Sequence, residues 1–579
     1  MESNVFIIQV NNREIKAKSG ETILQACKRA DIYIPTLCHI EGLEPSGACR
    51  MCVVEIEGRD GLVPACAWPV EKDMEVKTHS AKAVRARKTN IELLLADHPD
   101  DCLYCVRNGD CELQSMAEQL GVRQRRYFGD KNEYDLDTSS PAISRDPSKC
   151  ILCGKCVRVC EEIQTVSAIE FVNRGSSATV GTAYDEGLNL SSCVYCGQCV
   201  RVCPTGALRE KSNIKEVMNA INDPEKIVVA QHAPSISVTI GEEFGLRKGK
   251  DVVGIMNGAL RRIGFDKVFT TSFSADLTIM EEAAELVERV KEGGKLPLIT
   301  SCSPGWIKFM EQFYPEFTDN VSSCKSPQQM MGAIIKTYFA EKEGIDPDKI
   351  FSVSVMPCTA KKFEAERPEH SKEGRPDIDA VLTTRELSRV IKLNGLDLND
   401  MEPESHDTPF GERSSAGKIF GTSGGVMEAA VRTAYHMITG EELEDPELEA
   451  VRGMDGVKEA KIKVNDDLEV GIAVASGLKN ARKILDQIKN GRDDIHFIEV
   501  MTCPGGCING GGQPLGIDED TVKARMKALY KIDRTGKIRR SHENRSIQKI
   551  YEEFLGEPLS EKSHELLHTT YKKRKEVLV

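Results

Sequence analysis

Apolar and polar positions alternate at two different periods along this chain. Residues 5–17 alternate one by one around Asn11-Asn12, which predicts a strand–turn–strand hairpin. Glu21–Arg29 follows with the spacing of a short amphipathic helix. From about residue 213 the pattern becomes helical stretches separated by short apolar runs, and three of these runs, 296–302, 350–358 and 495–503, each end in a cysteine. Continuous β-branched runs predict strands buried on both faces of an α/β sheet. Ligands of such sheets bind beyond the carboxyl ends of the strands, so these three cysteines are expected to point into one crevice. After Pro514 the chain is charged and helix-forming. No run approaches the roughly 18 apolar residues of a membrane span.

Cysteine spacing sharpens this picture. Sixteen of the 21 cysteines fall within the first 203 residues. Cys150, Cys153, Cys156 and Cys160, then Cys193, Cys196, Cys199 and Cys203-Pro204, form the doublet of a two-cluster bacterial ferredoxin. In that arrangement the fourth cysteine of each run ligates the other cluster. Upstream, Cys38, Cys49, Cys52 and Cys66 suit a [2Fe–2S] cluster, although the ten-residue gap before Cys49 departs from the plant-type spacing. A structural zinc site is the competing reading, and it usually needs two C-x2-C pairs where this stretch has one. Between these sites, Cys102, Cys105 and Cys111 leave a cluster one ligand short, and His98 is expected to complete it. Cys27, on the predicted helix, reads as a buried apolar residue.

Composition narrows the function classes. The net charge of −13 over 579 residues argues against a nucleic-acid footprint, which needs a basic face. The N-terminal segment lacks the basic and then apolar pattern of a signal peptide. A cytoplasmic location is therefore expected, where clustered thiols hold metal rather than disulfides. Five glycines fall within the eight residues 505–512, behind Cys503 and around Cys507. No Gly-Lys-Ser/Thr follows, so a close-fitting inorganic cofactor suits this stretch better than a nucleotide.

Three segments carry a resemblance: Thr300-Ser-Cys302-Ser303-Pro-Gly-Trp306, Met356-Pro-Cys358-Thr-Ala-Lys361-Lys-Phe-Glu364, and Glu499-Val-Met-Thr-Cys503-x3-Cys507 running on to Pro514. With the order of upstream clusters, they make the chain similar to the iron-only ([FeFe]) hydrogenases, most of all the multi-cluster catalytic subunits of NAD(P)-linked enzymes. The resemblance implies a multidomain α/β and α+β chain. Its units would be a β-grasp [2Fe–2S] domain (1–80), a His/Cys3 [4Fe–4S] segment (81–140), a two-cluster ferredoxin domain (141–212), a large α/β catalytic domain (213–515) and a small-subunit-like helical tail (516–579).

It also implies an H-cluster, a [4Fe–4S] unit bridged by cysteine to a diiron unit with CO, cyanide and dithiolate ligands. Cys358, Cys503 and Cys507 would hold it. Lys361 would donate to a cyanide, and Ala233, Pro234, Ser235, Gln328, Met356, Phe420, Gly421 and Met501 would line the pocket. Protons would pass through Cys302, Glu282, Ser322 and Glu285 towards Arg289. Glu282, Glu285 and Arg289 share one helical stripe, whose plain reading is a solvated charged face.

Where the family has a second cysteine, this chain has Ser303, a poor ligand for iron that expects thiolate. Cys302 and Cys324 are accordingly expected to divide the two jobs, Cys302 carrying protons and Cys324 acting as ligand. The implied partners are H2 and protons, flavin- and cluster-bearing NAD(P)-binding subunits or ferredoxin, and maturation proteins. The rival functions are a hydrogenase-like redox sensor and a non-catalytic electron-transfer subunit.

Overall fold

The computed structural model describes residues 5–466 and 468–574. The ends of the expected 1–80 and 516–579 units lie outside those ranges. Strands Val5–Val10 and Arg13–Lys18 form the antiparallel hairpin, with Val10 opposite Arg13. Asn11 and Asn12 both take positive φ (48° and 63°), the turn whose twist matches a hairpin. The first strand also pairs in parallel with Glu75–Lys77, completing a five-stranded sheet. Its helix starts at Ile23, two residues later than the pattern suggested, because Thr22 and Gln25 form a capping box. Cys27 is fully buried on it, and burial pushes its thiol up to about 11.

The ferredoxin-like unit is closed by strand Ile143–Arg145 pairing antiparallel with Leu208–Glu210. Its two short helices, Lys155–Arg158 and Gln198–Val202, begin after Gly154 and Gly197, which sit at φ 70° and 71°. That left-handed turn is open to glycine and lets each cysteine run fold back on itself.

The large domain is built on two four-stranded sheets. One is parallel throughout, in the order Lys267–Thr270, Ile227–His232, Ile350–Met356, Ala380–Thr383. The other runs Leu298–Ile299, Phe497–Met501, Glu469–Ser476, Val457–Lys463, its last pair antiparallel. The run at 296–302 yields only a two-residue strand, since Pro297 has no N–H to donate and pairing starts at Leu298. The 22-residue helix Thr271–Glu292 packs against helices Pro327–Ile334 and Gly425–Thr439. The tail adds helices Glu519–Arg534, Arg545–Ile550 and Glu561–Leu567, and an isolated bridge joins Cys324 to His568. Among the described residues, no helix is long and apolar enough to cross a membrane.

Candidate functional site

The strand ends converge as the carboxyl-end rule requires. A cavity of about 80 Å³ is lined by Cys302, Ser303, Cys358, Cys503 and Cys507. Ala233, Pro234, Ser235, Gln328, Met356, Lys361, Phe420, Gly421 and Met501 line the same space. Burial pushes the Cys358 and Cys507 thiols up to about 12 and Cys503 to about 11. Several thiols that resist ionisation alone but face one space are suited to a cation that deprotonates them together. The donor set and the crowded glycines fit a compact iron–sulfur group. A Cβ on Gly510 would lie 2.2 Å from the Pro357 carbonyl oxygen, so the loop packs there with no room for a side chain.

Lys361 is held from below. Its Nζ donates to Glu364 Oε2 and Ser326 Oγ, both at 2.9 Å, and to the Cys302 carbonyl at 3.1 Å. Gln328 Nε2 donates to the same Glu364 oxygen at 3.0 Å. Glu364 closes the second signature segment three residues after Lys361, the i,i+3 spacing that lets the two side chains meet, whereas nothing in the sequence marks Ser326 for this role.

Ser303 and Cys324 separate cleanly. Ser303 Oγ faces the Thr502 hydroxyl at 2.8 Å and accepts from the Thr502 N–H at 3.3 Å. Cys324 is fully buried in a different apolar cluster, with Phe269, Met330 and Leu567, and its Sγ lies 4.0 Å from Glu285 Oε2. It does not line the thiol cavity. Cys324, expected as a cluster ligand, is thus set apart from the cavity thiols, because the 322–324 segment turns towards Glu285 and the tail.

Behind Cys302 runs a line of polar groups. Glu282 is fully buried, accepts from the Ser301 N–H at 3.4 Å, and keeps its Oε2 without a partner. Burial, and next the Glu285 charge, push its carboxyl up to about 8. Ser322 Oγ donates to Glu285 Oε2 at 2.8 Å, and Arg289 donates to Glu285 Oε1 at 2.6 Å. Exposure of the side chains rises along this line, from 0% at Glu282 to 15% at Arg289.

The upstream cysteines also gather into groups. Cys150, Cys153, Cys156 and Cys203 line one pocket, and Cys160, Cys193, Cys196 and Cys199 line a second, so each run lends its fourth cysteine to the other. Cys38 pairs with Cys49 and Cys52 with Cys66 through shared thiol protons. The hydrogen bond from Cys49 holds the Cys38 thiol low, while Cys49 itself is held high. His98 donates from Nδ1 to the Pro99 carbonyl at 3.0 Å, which leaves Nε2 as a bare, buried lone pair without a partner. That fixed tautomer is how a ligating imidazole is prepared.

Comparison with known proteins follows the same division. Family profiles match residues 226–511 as the iron only hydrogenase large subunit, C-terminal domain, and 519–574 as the iron hydrogenase small subunit. Residues 3–81 match a 2Fe-2S iron-sulfur cluster binding domain, 87–126 the NADH-ubiquinone oxidoreductase-G iron-sulfur binding region, and 149–207 a 4Fe-4S dicluster domain. The chain is 48% identical to the NADP-reducing hydrogenase subunit HndD of Solidesulfovibrio fructosivorans, over 99% of both chains. It is 42% identical to iron hydrogenase 1 of Clostridium pasteurianum, over 98% of this chain and 100% of that one. A solved structure of a variant of [FeFe]-hydrogenase HydA1 from Chlamydomonas reinhardtii superimposes with a TM-score of 0.57 at 40% identity, covering 63% of this chain and 99% of that one. Full-length identity at this level, on a cavity built from the signature cysteines, shows that the chain belongs to the iron-only ([FeFe]) hydrogenase family.

Proposed function

We propose that this chain interconverts H2 with two protons and two electrons in its thiol-lined cavity, with electrons relayed through the upstream cysteine groups. The observation that supports this most directly is the cavity's position. A buried carboxyl line meets it at Cys302, and the Cys196–Gly197 turn meets the loop carrying Cys503 and Cys507.

Cys358, Cys503 and Cys507 would hold the cubane, with the Ser303 oxygen at the fourth position, where Thr502 supplies two hydrogen-bonding groups. When bound, the diiron unit with its CO, cyanide and dithiolate ligands supplies the H–H bond chemistry. The protein's part is proton supply, orientation and exclusion of water. Cys302 holds a proton at Sγ, since burial and then the nearby Glu282 charge keep its thiol well above the ordinary value. Glu282 receives and returns that proton at its free Oε2, and Ser322 and Glu285 connect it to Arg289. Lys361 offers a positive charge whose direction Glu364 and Ser326 set.

For the relay, the Cys160/193/196/199 group stands next to the cavity and would hold its nearest [4Fe–4S] cluster. Cys150/153/156/203 would hold the second. The His98/Cys102/105/111 site abuts that group, with Cys111 Sγ 3.6 Å from the Pro204 carbonyl. The Cys38/49/52/66 site abuts it too, through Arg158 donating to the Cys38 carbonyl, and Cys38, Cys111 and Cys153 share one apolar cluster. Electrons would be exchanged through these outer sites with an NAD(P)-linked flavin partner subunit or a ferredoxin. A reducing cytoplasm would keep these thiols ready for maturation proteins.

Matured protein should show infrared bands of metal-bound CO and cyanide, and should reduce a dye under H2 and evolve H2 from a reduced dye. Bands without turnover in either direction would favour a sensor. Absence of the bands from iron-replete, matured protein would remove the proposal.

A further inference from the structure

Far along helix Gly425–Thr439 from the cavity, His436, Glu442 and His542 bring three ligating atoms to one point, all within 4.8 Å of one another. His436 Nδ1 lies 3.1 Å and His542 Nε2 3.0 Å from Glu442 Oε1. Ligand atoms on a tetrahedral ion with bonds of about 2.0–2.1 Å stand about 3.3 Å apart, so the two edges that meet at Glu442 are within a few tenths of an ångström of that spacing.

Three further observations point to a ligand. His436 Nδ1 is buried, and apart from the Glu442 carboxylate beside it has no hydrogen-bond partner. His542 Nε2 sits 3.0 and 3.3 Å from the two Glu442 oxygens, and its Nδ1 is engaged by the Thr433 hydroxyl at 3.1 Å, which can accept from Nδ1–H and so present the Nε2 lone pair to an ion placed between Nε2 and Glu442. The two rings stack at 4.3 Å and 8°, an arrangement that suits neutral imidazoles better than two imidazoliums. Arg540 Nε holds the other Glu442 oxygen at 2.9 Å, so Oε1 stays turned to the histidines.

The trio is preorganised from both sides. His436 lies in the last turn of its helix, while His542 is 9% exposed between Ser541 and Asn544, which donate to Asp276 at 2.8 and 3.1 Å. From this geometry we infer a binding site for a divalent, borderline transition ion such as zinc, with ligands His436 Nδ1, His542 Nε2 and Glu442 Oε1. Two imidazoles and one carboxylate are a zinc donor set with one position left for water, and the half-exposed His436 and Glu442 give the ion access. The ion would clasp the 539–545 segment of the tail to the helix that passes the cavity loop. It therefore acts on tail docking, independently of the turnover assigned above.

The test uses full-length, cluster-loaded protein, dialysed against a chelator with iron content checked before and after, and then zinc alone. Wild type should bind one zinc more than His436→Asn or His542→Asn, and its Tm should rise by several degrees with zinc while the variants' stays put. His436 is half-exposed, so His436→Asn should fold as wild type does. Zinc K-edge absorption of the wild-type complex gives an answer that does not depend on any variant. A nitrogen/oxygen shell near 2.0–2.1 Å supports the site, and a sulfur shell near 2.3 Å overturns it. Equal zinc content in all three proteins would overturn it as well. Hydrogen turnover and the CO and cyanide bands should be the same in the zinc-free variants, so failure here and failure of the hydrogenase reading remain distinguishable.

Discussion

Gly197 and Gly511 meet backbone to backbone. A Cβ on Gly511 would stand 2.7 Å from the Gly197 Cα and 2.2 Å from the Cys196 carbonyl oxygen. Next to this contact, Gln198 Nε2 donates to the Asn509 carbonyl at 3.1 Å. Two cysteine groups from different domains are thereby held as close as polypeptide allows.

Gly511→Ala should prise this junction apart, because backbone rather than a flexible side chain blocks the new methyl. Overpacking of this kind costs about 1–3 kcal/mol. Thermal unfolding should show the loss, and rapid-mixing experiments should show slower H2-driven reduction of the accessory clusters with their iron content intact. Unchanged electron transfer would mean that the contact does not set the distance between them.

Glu282→Gln keeps the shape and removes the exchangeable proton. Turnover should fall by about 10²–10⁴-fold, the usual share of a positioned acid or base. The carboxyl is raised from 4.5 to about 8, so the folded state binds its proton more tightly than the unfolded chain does. Its stabilising contribution is complete below about 4.5 and is lost as pH rises to about 8. Between those values the Tm of wild type should decline more steeply than that of Glu282→Gln, and parallel curves would contradict the assignment.

Ser303→Cys replaces a hard oxygen with a thiolate at the proposed fourth position. Redox titration followed by electron paramagnetic resonance should find the cubane signal shifted to higher potential. Ser303→Ala should lower cubane iron content, whereas Cys324→Ala should leave it at the wild-type level. Loss of that iron in Cys324→Ala alone would restore the ligand role the structure denies it.

His98→Cys exchanges a neutral ligand for an anionic one. One accessory centre should move to lower potential with total iron unchanged, since added negative charge disfavours reduction. If no accessory centre shifts, His98 is not a ligand.

Asp533 on the tail, fully buried, accepts from Arg432 at 2.9 Å and Arg539 at 3.0 Å. Arg432, also fully buried, has no access to water with which to replace it. Arg432 would keep its ion pair with Glu428, so Asp533→Ala should cost about 1–3 kcal/mol, the penalty of leaving buried N–H donors without a partner. Burial alone would raise the Asp533 carboxyl, but the Arg432 hydrogen bonds and charge outweigh it and hold it below 3.8. This contribution should accordingly be complete near neutrality and lost only in acid, as chemical denaturation at pH 7 and pH 3 can check.

Local chemistry was written in the sequence: the C-x2-C spacings, the hairpin at Asn11-Asn12, and three strands ending in cysteine each depend on neighbours a few residues apart. The third dimension decided the choice between Ser303 and Cys324, because both are small polar side chains near the first signature and only packing turns one to Thr502 and the other to Glu285. It also decided that the stripe Glu282, Glu285, Arg289 is a buried line and not a solvated face, since burial comes from helices remote in the chain. The His436–Glu442–His542 trio and the Asp533 network were invisible for the same reason. Each joins a stretch near residues 432–442 to one about a hundred residues later, and no periodicity in a sequence reports which distant side chains will share one desolvated space.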